Sequence, residues 1–301
     1  MTKKLLIIVN PISGKSKALK ILPFVKSFFD SNQIDYDIIT SKYKGHIEQI
    51  LLEYDFTDYF SCCILGGDGS FHEAVNGYMK KINNIDIALS LIPAGSGNSL
   101  ARDLKIINYK KALEKIKEAQ IKLIDVGKIC YDSKTLYSFN IAGWGMVATV
   151  GKKAEKYRWL GSSRYTILSL IEIIFKKTYN ANLIIFDDKD NKHTIKDNYM
   201  FVMISNTIHT GKGMKIAPKA MLDDGYFDLI MIKDAPRFKL FKLMSKLFSG
   251  RHILDGAVQY KHIKKIILET DQVHDLNIDG EIKGKSPFQL EVCKKVVKII
   301  N

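Results

Sequence analysis

Asp68 stands between Gly67 and Gly69, in the run Gly66-Gly67-Asp68-Gly69-Ser70. Three glycines in four positions let the backbone turn sharply and lie against something bulky. A helix starting behind such a turn offers free N–H groups and the positive end of its dipole to an anion. A carboxylate inside a phosphate cradle is repulsive unless a cation or a transferable proton comes with it, so Asp68 reads as chemistry. Ser70 and Glu73 carry two readings, a Ser-x-x-Glu capping box or contacts to a ligand. Far along the chain, Asp279 and Glu281 flank Gly280 on a second tight turn. Transfer of a phosphoryl group to a hydroxyl needs positioning, charge neutralisation and a carboxylate to take the proton. Alone, that second turn would be an ordinary surface turn.

The elements that must position these groups follow from the patterning. Leu5–Val9 reads as a strand leading through Asn10-Pro11-Ile12-Ser13-Gly14 into a helix over Lys17–Phe29. Gly14-Lys15-Ser16 resembles the end of a P-loop, but that motif needs a glycine where this chain has Val9. A strand over Tyr36–Thr40 and a helix over His46–Glu53 come next. The strand Cys62–Leu65 follows, with its glycine turn and the helix Phe71–Met79. Ile87–Ile92 is a further strand, broken by Pro93, and Ala94–Ser99 leads to a helix over Leu100–Leu104. Alternating strands and helices give a mostly parallel sheet. Its ligands bind beyond the carboxyl ends of the strands, where all three glycine turns fall.

The pattern changes after Asp125. Strands are expected over Leu136–Ala142, Ala181–Phe186, Tyr199–Ser205, Phe227–Ile232, Ile263–Glu269 and Asp275–Ile278, with helices mainly over Lys152–Phe175 and Arg237–Phe248. This is the makeup of an antiparallel sandwich. The expected organisation is an α/β domain over 1–125 and a β-rich domain over 126–289, with a last strand near 290–301 returning to the first. Gly143–Ala148 satisfies a relaxed dinucleotide fingerprint, but it sits in β-rich sequence without the acidic residue at the required distance and reads as a chance match.

With 301 residues, 46% of them hydrophobic, the chain can bury two cores. Its 46 basic against 32 acidic residues, a net +14, favour anionic partners. The four cysteines form no Cys-x-x-Cys pair, which argues against a zinc site. Cys62 and Cys63 read as core filler in a reducing compartment. The N-terminal apolar run is a first strand and not a secretory signal. The longest apolar stretch, Tyr165–Phe175, is too short to span a bilayer and contains Glu172.

Taken together, Asn10-Pro11-x-x-Gly14, Gly66-Gly67-Asp68-Gly69-Ser70-x-x-Glu73-x-x-Asn76-Gly77 and Pro93-x-Gly95-Ser96-Gly97-Asn98-x-x-Ala101-Arg102 resemble the diacylglycerol kinase catalytic-domain family, which includes bacterial diacylglycerol, sphingosine and ceramide kinases. The likeness runs on through Phe139–Gly145 and Leu222–Phe227 to Asp279-Gly280-Glu281. It implies an ATP- and magnesium-dependent lipid kinase with an α/β domain like that of NAD kinases and phosphofructokinases and a β-sandwich second domain. ATP would meet Asn10, Pro11, Gly14, Thr40, Gly66, Gly67, Asp68, Gly69, Ser70, Glu73, Ser96, Gly97 and Asn98. The lipid headgroup would enter from the second domain, with Thr149 and Arg102 toward the substrate. Asp68 would hold the catalytic magnesium through water or take part in proton transfer. Asp279 and Glu281 would face the γ-phosphate, Glu281 matching the general base of bacterial members and Asp68 that of other branches. Asp224, with the carbonyls of Met221 and Tyr226, matches a structural magnesium site.

Glu155–Gly161 with Arg164-Tyr165, His72-Glu73 and Gly250-Arg251-His252 are similar to sphingosine and ceramide kinases. In sphingosine kinases, however, an Asp that meets the substrate amine stands where this chain has Thr149. The acceptor expected is the primary hydroxyl of a diacylglycerol-like or sphingoid-type lipid. The alternatives are a NAD kinase-like phosphotransferase on a soluble substrate, or a non-enzymatic binder of anionic membranes or nucleic acid. Arg237–Phe248 is a basic amphipathic helix suited to an anionic membrane surface, or else packed on its own domain. Ile167–Phe175 could line an acyl-chain pocket or belong to the core. Peripheral membrane attachment in the cytoplasm, no nucleic acid and a homodimer complete the expectations.

Overall fold

Lys4–Val9 (β1) places five apolar residues in succession and buries all five, the pattern of a parallel strand covered on both faces. The computed structural model describes residues 3–82, 85–106, 108–157, 159, 163–211 and 213–301. The chain packs as two units, Met1–Ile124 with Lys295–Asn301, and Asp125–Lys294.

In the first unit β1 is followed by α1 (Ser13–Ser31), β2 (Tyr36–Thr40), α2 (His46–Glu53), β3 (Tyr59–Gly66), α3 (Asp68–Lys80), β4 (Ala88–Pro93), α4 (Ser99–Asp103) and α5 (Tyr109–Glu118). The strand order is β2-β1-β3-β4, all parallel. Val9 lies opposite both Thr40 and Leu65, and Gly66 opposite Pro93. That register brings the carboxyl ends of four strands level, so the loops after β1, β3 and β4 open on one sheet edge. α1 buries Ala18, Ile21, Val25 and Phe29 at helical spacing. α3 is buried from Ser70 to Met79, a central helix whose N-terminus is fixed at that edge. Burial pushes the Cys63 thiol up to about 12, so the adjacent cysteines of β3 are inert core residues.

β5 (Ile121–Tyr131) runs straight through the boundary at Asp125. The second unit continues with β6 (Lys134–Ser138), β7 (Ile141–Gly145), α6 (Met146–Lys156), α7 (Arg164–Phe175), β8 (Tyr179–Asp187), β9 (Lys192–Ser205), the short pair β10 (His209–Thr210) and β11 (Met214–Lys215), and β12 (Phe227–Lys233). α8 (Arg237–Leu247), a 3-10 turn at Arg251–Leu254, β13 (Val258–Glu269), β14 (Asp275–Ile278), β15 (Glu281–Lys285) and β16 (Phe288–Ile300) complete it. The order β15-β14-β7-β9-β12-β13-β16 is antiparallel, and β8 pairs with both β9 and β13. Period-two alternation assigns the faces. Val202, Ile204, Leu229 and Met231 enter one core with Trp144 and Phe227; Phe201, Met203, Ile230 and Ile232 enter another against the helices. The last residues of β16 belong to the first unit, where Ile299 pairs in parallel with Leu89 of β4.

Two of the expected elements are each divided in two. Leu136–Ala142 is two strands, because the segment between them folds onto the Asp279 carboxylate. Lys152–Phe175 is two helices, α6 and α7; Arg158, Leu160 and Gly161 of the Glu155–Gly161 motif lie outside the described residues. The strand-to-helix passage β7–α6 does not belong to a parallel unit, since both neighbours of β7 run antiparallel, in keeping with a chance fingerprint there.

Candidate active site

The three glycine turns of the first unit interlock. Asn10 donates its backbone N–H to Leu65 O at 3.1 Å and its side-chain Nδ2 to Ser70 Oγ at 2.8 Å, tying the first turn to the second. Gly66 O accepts from Ala94 N at 2.7 Å and Gly95 N at 3.2 Å, tying the second to the third. Side chains have no room between them. A Cβ on Gly67 would lie 2.8 Å from Gly95 Cα, and one on Gly14 would lie 2.0 Å from Ala94 O. Gly14, Lys15 and Ser16 form one left-handed turn, with φ of 58°, 59° and 65°. Each non-glycine residue there costs about 1–2 kcal/mol, strain of the kind that gathers at functional turns.

Asp68 opens α3, and its Oδ2 accepts the backbone N–H of Ser99 at 3.0 Å, across to the head of α4. Gly69 is the next residue of the same first turn. Asn98, left-handed at φ 55°, donates Nδ2 to Gly95 O at 2.9 Å. Its Oδ1 is buried with no partner among the described residues. Ser96 and Thr40 are exposed at the edge, and Pro11 and Gly97 are half-buried. This cradle, closed to a Cβ at Gly14, Gly66, Gly67 and Gly95 and floored by backbone, fits the phosphates of a nucleotide. Asp68 is a hard oxygen donor of the kind magnesium takes.

Glu73 has another task. Its carboxylate accepts Gly45 N at 2.9 Å and Ile47 N at 3.3 Å, capping α2. No capping box forms at α3, because the helix begins at Asp68, two residues before Ser70, with Gly67 as its N-cap. Ser70 Oγ goes to Asn10 instead.

In the second unit, Asp279 and Gly280 have φ of 51° and 93° and join β14 to β15 with Ile278 opposite Glu281, a two-residue hairpin turn that suits Asp-Gly. Asp279 is expected above as catalytic, but the structure turns its carboxylate inward. It is buried and accepts Ser138 Oγ at 2.7 Å, Ile141 N at 2.9 Å, Asn140 N at 3.0 Å and Phe139 N at 3.3 Å. Asp279 therefore positions the β6–β7 turn and is not placed to exchange a proton. Glu281 is half-buried, with Lys283 Nζ 3.4 Å from its Oε2.

The Met221–Tyr226 loop is held by Gly225 N donating to Asp125 Oδ2 at 2.6 Å and by Tyr226 N donating to Asp224 Oδ1 at 2.9 Å. Asp224 and the carbonyls of Met221 and Tyr226 are an all-oxygen donor set, the chemistry of magnesium. Among the described residues no group of three or more His, Cys, Asp or Glu could hold a metal, so an ion here would keep several waters.

Thr149 lines a cavity of about 420 Å³ bounded by α6, β8 and the segment before β14. Its hydroxyl lies 3.3 Å from Tyr179 Oη. Trp144, Tyr179 and His274 pack edge-on or tilted around one another, with centroids 5.0–5.8 Å apart. Burial, and then the Lys177 charge, hold His274 below its ordinary value. Arg102 is exposed on α4 of the first unit. Sequence reasoning found Thr149 but missed the rest of this lining. Thr149, Lys152, Lys153 and Lys156 stand at helical spacing and were legible as one face; Tyr179 and His274 arrive from distant strands and leave no spacing signal.

α8 packs through Leu240 and Leu243 and leaves Phe238, Phe241 and Phe248 exposed. Lys239 and Lys246 each approach Asp255 at 3.4 Å. On α7, Leu168 and Ile173 are buried while Ile171, Ile174 and Phe175 are exposed, and Arg237 Nε donates to Ile174 O at 2.9 Å. No described helix is long and apolar enough to cross a membrane.

A parallel α/β unit with interlocked glycine turns, carried in one chain with a β-sandwich, is an architecture with known counterparts. The diacylglycerol kinase catalytic domain matches residues 4–129, and the YegS C-terminal NAD kinase beta sandwich-like domain matches residues 140–301. The chain belongs to the diacylglycerol kinase catalytic-domain family and is an enzyme, a lipid kinase. It is 27% identical to sphingosine kinase 1 of Arabidopsis thaliana, over 96% of this chain and 70% of that protein. It is also 27% identical to the diacylglycerol kinase of Staphylococcus saprophyticus, over 99% and 95%. The crystal structure of a diacylglycerol kinase from Bacillus anthracis str. Sterne shares the fold, with a TM-score of 0.72 at 21% identity over 99% and 96% of the two chains. The non-enzymatic alternative falls with this assignment.

Proposed function

We propose that the enzyme transfers the γ-phosphate of ATP to the primary hydroxyl of a diacylglycerol-like or sphingoid-type lipid taken from an anionic membrane surface. The observation that carries this is the interlock of the three turns with Asp68 at its centre, a cradle shaped for phosphate yet furnished with a carboxylate. When bound, ATP supplies the phosphoryl group and magnesium the positive charge that makes Asp68 tolerable beside it. The N–H groups of the turns and the start of α3 bind the phosphates, and Asn98 Oδ1 accepts from the nucleotide. Asp68, oriented by Ser99 N–H, holds the cation or takes a proton. Glu281 accepts the proton of the attacking hydroxyl; Asp279, buried in its four hydrogen bonds, keeps the hairpin that presents it. Asp224 with the Met221 and Tyr226 carbonyls would hold a second, structural magnesium that steadies the loop. Exposed aromatics on α8, with Lys242 among them, suit a bilayer interface.

The test is transfer from radiolabelled ATP to a panel of purified lipids, resolved by chromatography, for wild type and Asp68→Asn. Wild type should label diacylglycerol or a sphingoid base. The Asn variant should be inactive with an unchanged melting temperature, because its amide oxygen still accepts from Ser99 N–H. Labelling of neither lipid by wild type, or near-normal turnover by the variant at saturating magnesium, would sink the assignment.

A further inference from the structure

The cavity beside Thr149 is electrically lopsided. Lys152, Lys153, Lys156 and Lys177 all line it, and among the described residues Asp275 is its one lining acid. Lys152 spends its charge on Asp275 at 2.6 Å, and Lys153 is paired with Glu172 of α7. Lys156 and Lys177 meet no carboxylate among the described residues; Lys177 Nζ sits 5.3 Å from the Tyr179 ring centroid. Lysines three and four apart on one helix face repel, and this repulsion along α6 is relieved only in part by the two acids. The other polar groups of the lining are the Thr149 and Tyr179 hydroxyls and His274, whose Nδ1 is buried with no partner among the described residues. Ala148, Gly145 and Val273 supply an apolar flank. At about 420 Å³ the space falls within the roughly 300–1,000 Å³ usual for small-ligand sites.

We infer that this cavity is a phosphate-binding site, taking a phosphate ester through Lys156 and Lys177, with the hydroxyls of Thr149 and Tyr179 as hydrogen-bond partners. The chemistry is the same whether the ester is a phospholipid headgroup or a soluble sugar- or glycerol-type phosphate. Unpaired ammonium groups bind phosphate as point charges. For the same reason the site rejects a ligand that brings an ammonium group of its own. The phosphate site follows from the cavity lining alone and stands whether or not phosphoryl transfer proceeds as proposed above.

Trp144 packs on Tyr179 and His274 at the cavity wall, so its fluorescence reports occupancy. Trp159 is 78% exposed, and Trp159→Phe leaves Trp144 as the one tryptophan of the two in the chain. In that background, glycerol 3-phosphate is titrated as the soluble probe. Zwitterionic phosphatidylcholine vesicles with and without phosphatidic acid are titrated as the lipid probe. Expected is a saturable signal with at least one phosphate ester, and a Kd at least tenfold weaker in Lys156→Gln/Lys177→Gln. Lys239→Gln/Lys242→Gln/Lys246→Gln, altered only on α8, should leave glycerol 3-phosphate binding unchanged. Saturation by glycerol 3-phosphate supports a site that reads the ester alone; a response confined to phosphatidic acid, if lost in the double variant, supports a lipid headgroup site. No saturable response to either, or equal affinity in the folded double variant, overturns the inference. Lipid phosphorylation by the same variants is a separate readout, so failure here is distinguishable from failure of the kinase assignment.

Discussion

Gly67→Ala tests the interlock directly. Gly67 has φ −116°, a backbone that alanine adopts freely, so the substitution carries no conformational penalty and isolates packing. The new methyl would lie 2.8 Å from Gly95 Cα, 3.5 Å from Gly95 N and 3.6 Å from Ser13 Oγ. The nearest of these is backbone and cannot swing aside. To reach ordinary contact the second and third turns must part by about 0.6 Å or more. The hydrogen bonds from Ala94 N and Gly95 N to Gly66 O resist that movement. Overpacking of this kind costs about 1–3 kcal/mol, and at roughly 2–4 °C per kcal/mol for a chain of this size the melting temperature should fall by about 2–12 °C. Activity should fall further, since a displacement approaching 1 Å of a positioned group costs about a hundredfold in rate. Gly256→Ala is the control, because a methyl there meets nothing within 4 Å. Calorimetry and initial rates at varied ATP give the answer. If Gly67→Ala kept the wild-type KM for ATP, kcat and melting temperature, the close approach would not be what builds the cradle.

Three further outcomes are expected. Glu281→Gln should lower kcat by about a hundredfold or more, the scale of a general base, with little change in KM for ATP; an unchanged kcat would pass the role to Asp68. Lys242→Gln should weaken binding to anionic vesicles by roughly 1 kcal/mol, measured by co-sedimentation. Lys239→Gln and Lys246→Gln should each do less, since Asp255 already neutralises part of their charge, and equal losses at all three would refute that ranking. Wild type should phosphorylate diacylglycerol at least as well as sphingosine, whose ammonium would meet the lysines around Thr149. Thr149→Asp should move the kcat/KM ratio toward sphingosine by about tenfold, one charged hydrogen bond's worth. A wild type that strongly prefers sphingosine would show that another carboxylate reads the amine.

What the sequence disclosed and what it concealed divide by range. The glycine turns were legible because each is a local pattern, a strand ending in glycines before a helix, and register alone then brings them to one edge. Asp279-Gly280 was legible as a tight turn for the same reason. The direction of its carboxylate was not, since that depends on Ser138–Ile141, far away in the chain. The same contact split the expected strand over Leu136–Ala142. Glu73 misled because a local capping box and a long-range cap on α2 use the same residue type. Asp255 lies close to α8 in sequence, but its approach to Lys239 and Lys246 depends on the turn after the helix, which periodicity does not describe. α5 and the short β-hairpin elements escaped notice because their apolar stripes are brief.

β16 carries a consequence for how the chain is made. Its Ile299 pairs with Leu89 of β4, and Lys298 with Asp86 nearby. Until those residues emerge from the ribosome, 210 positions after Leu89, β4 presents an unpaired edge, the kind of surface that invites pairing with other chains. At about 5–20 residues per second that interval lasts roughly 10–40 s. The nascent first unit must therefore wait, incomplete, while the whole sandwich is synthesised. Chaperone occupancy should peak in that window, and a circular permutant that begins with the β16 segment should need less such help.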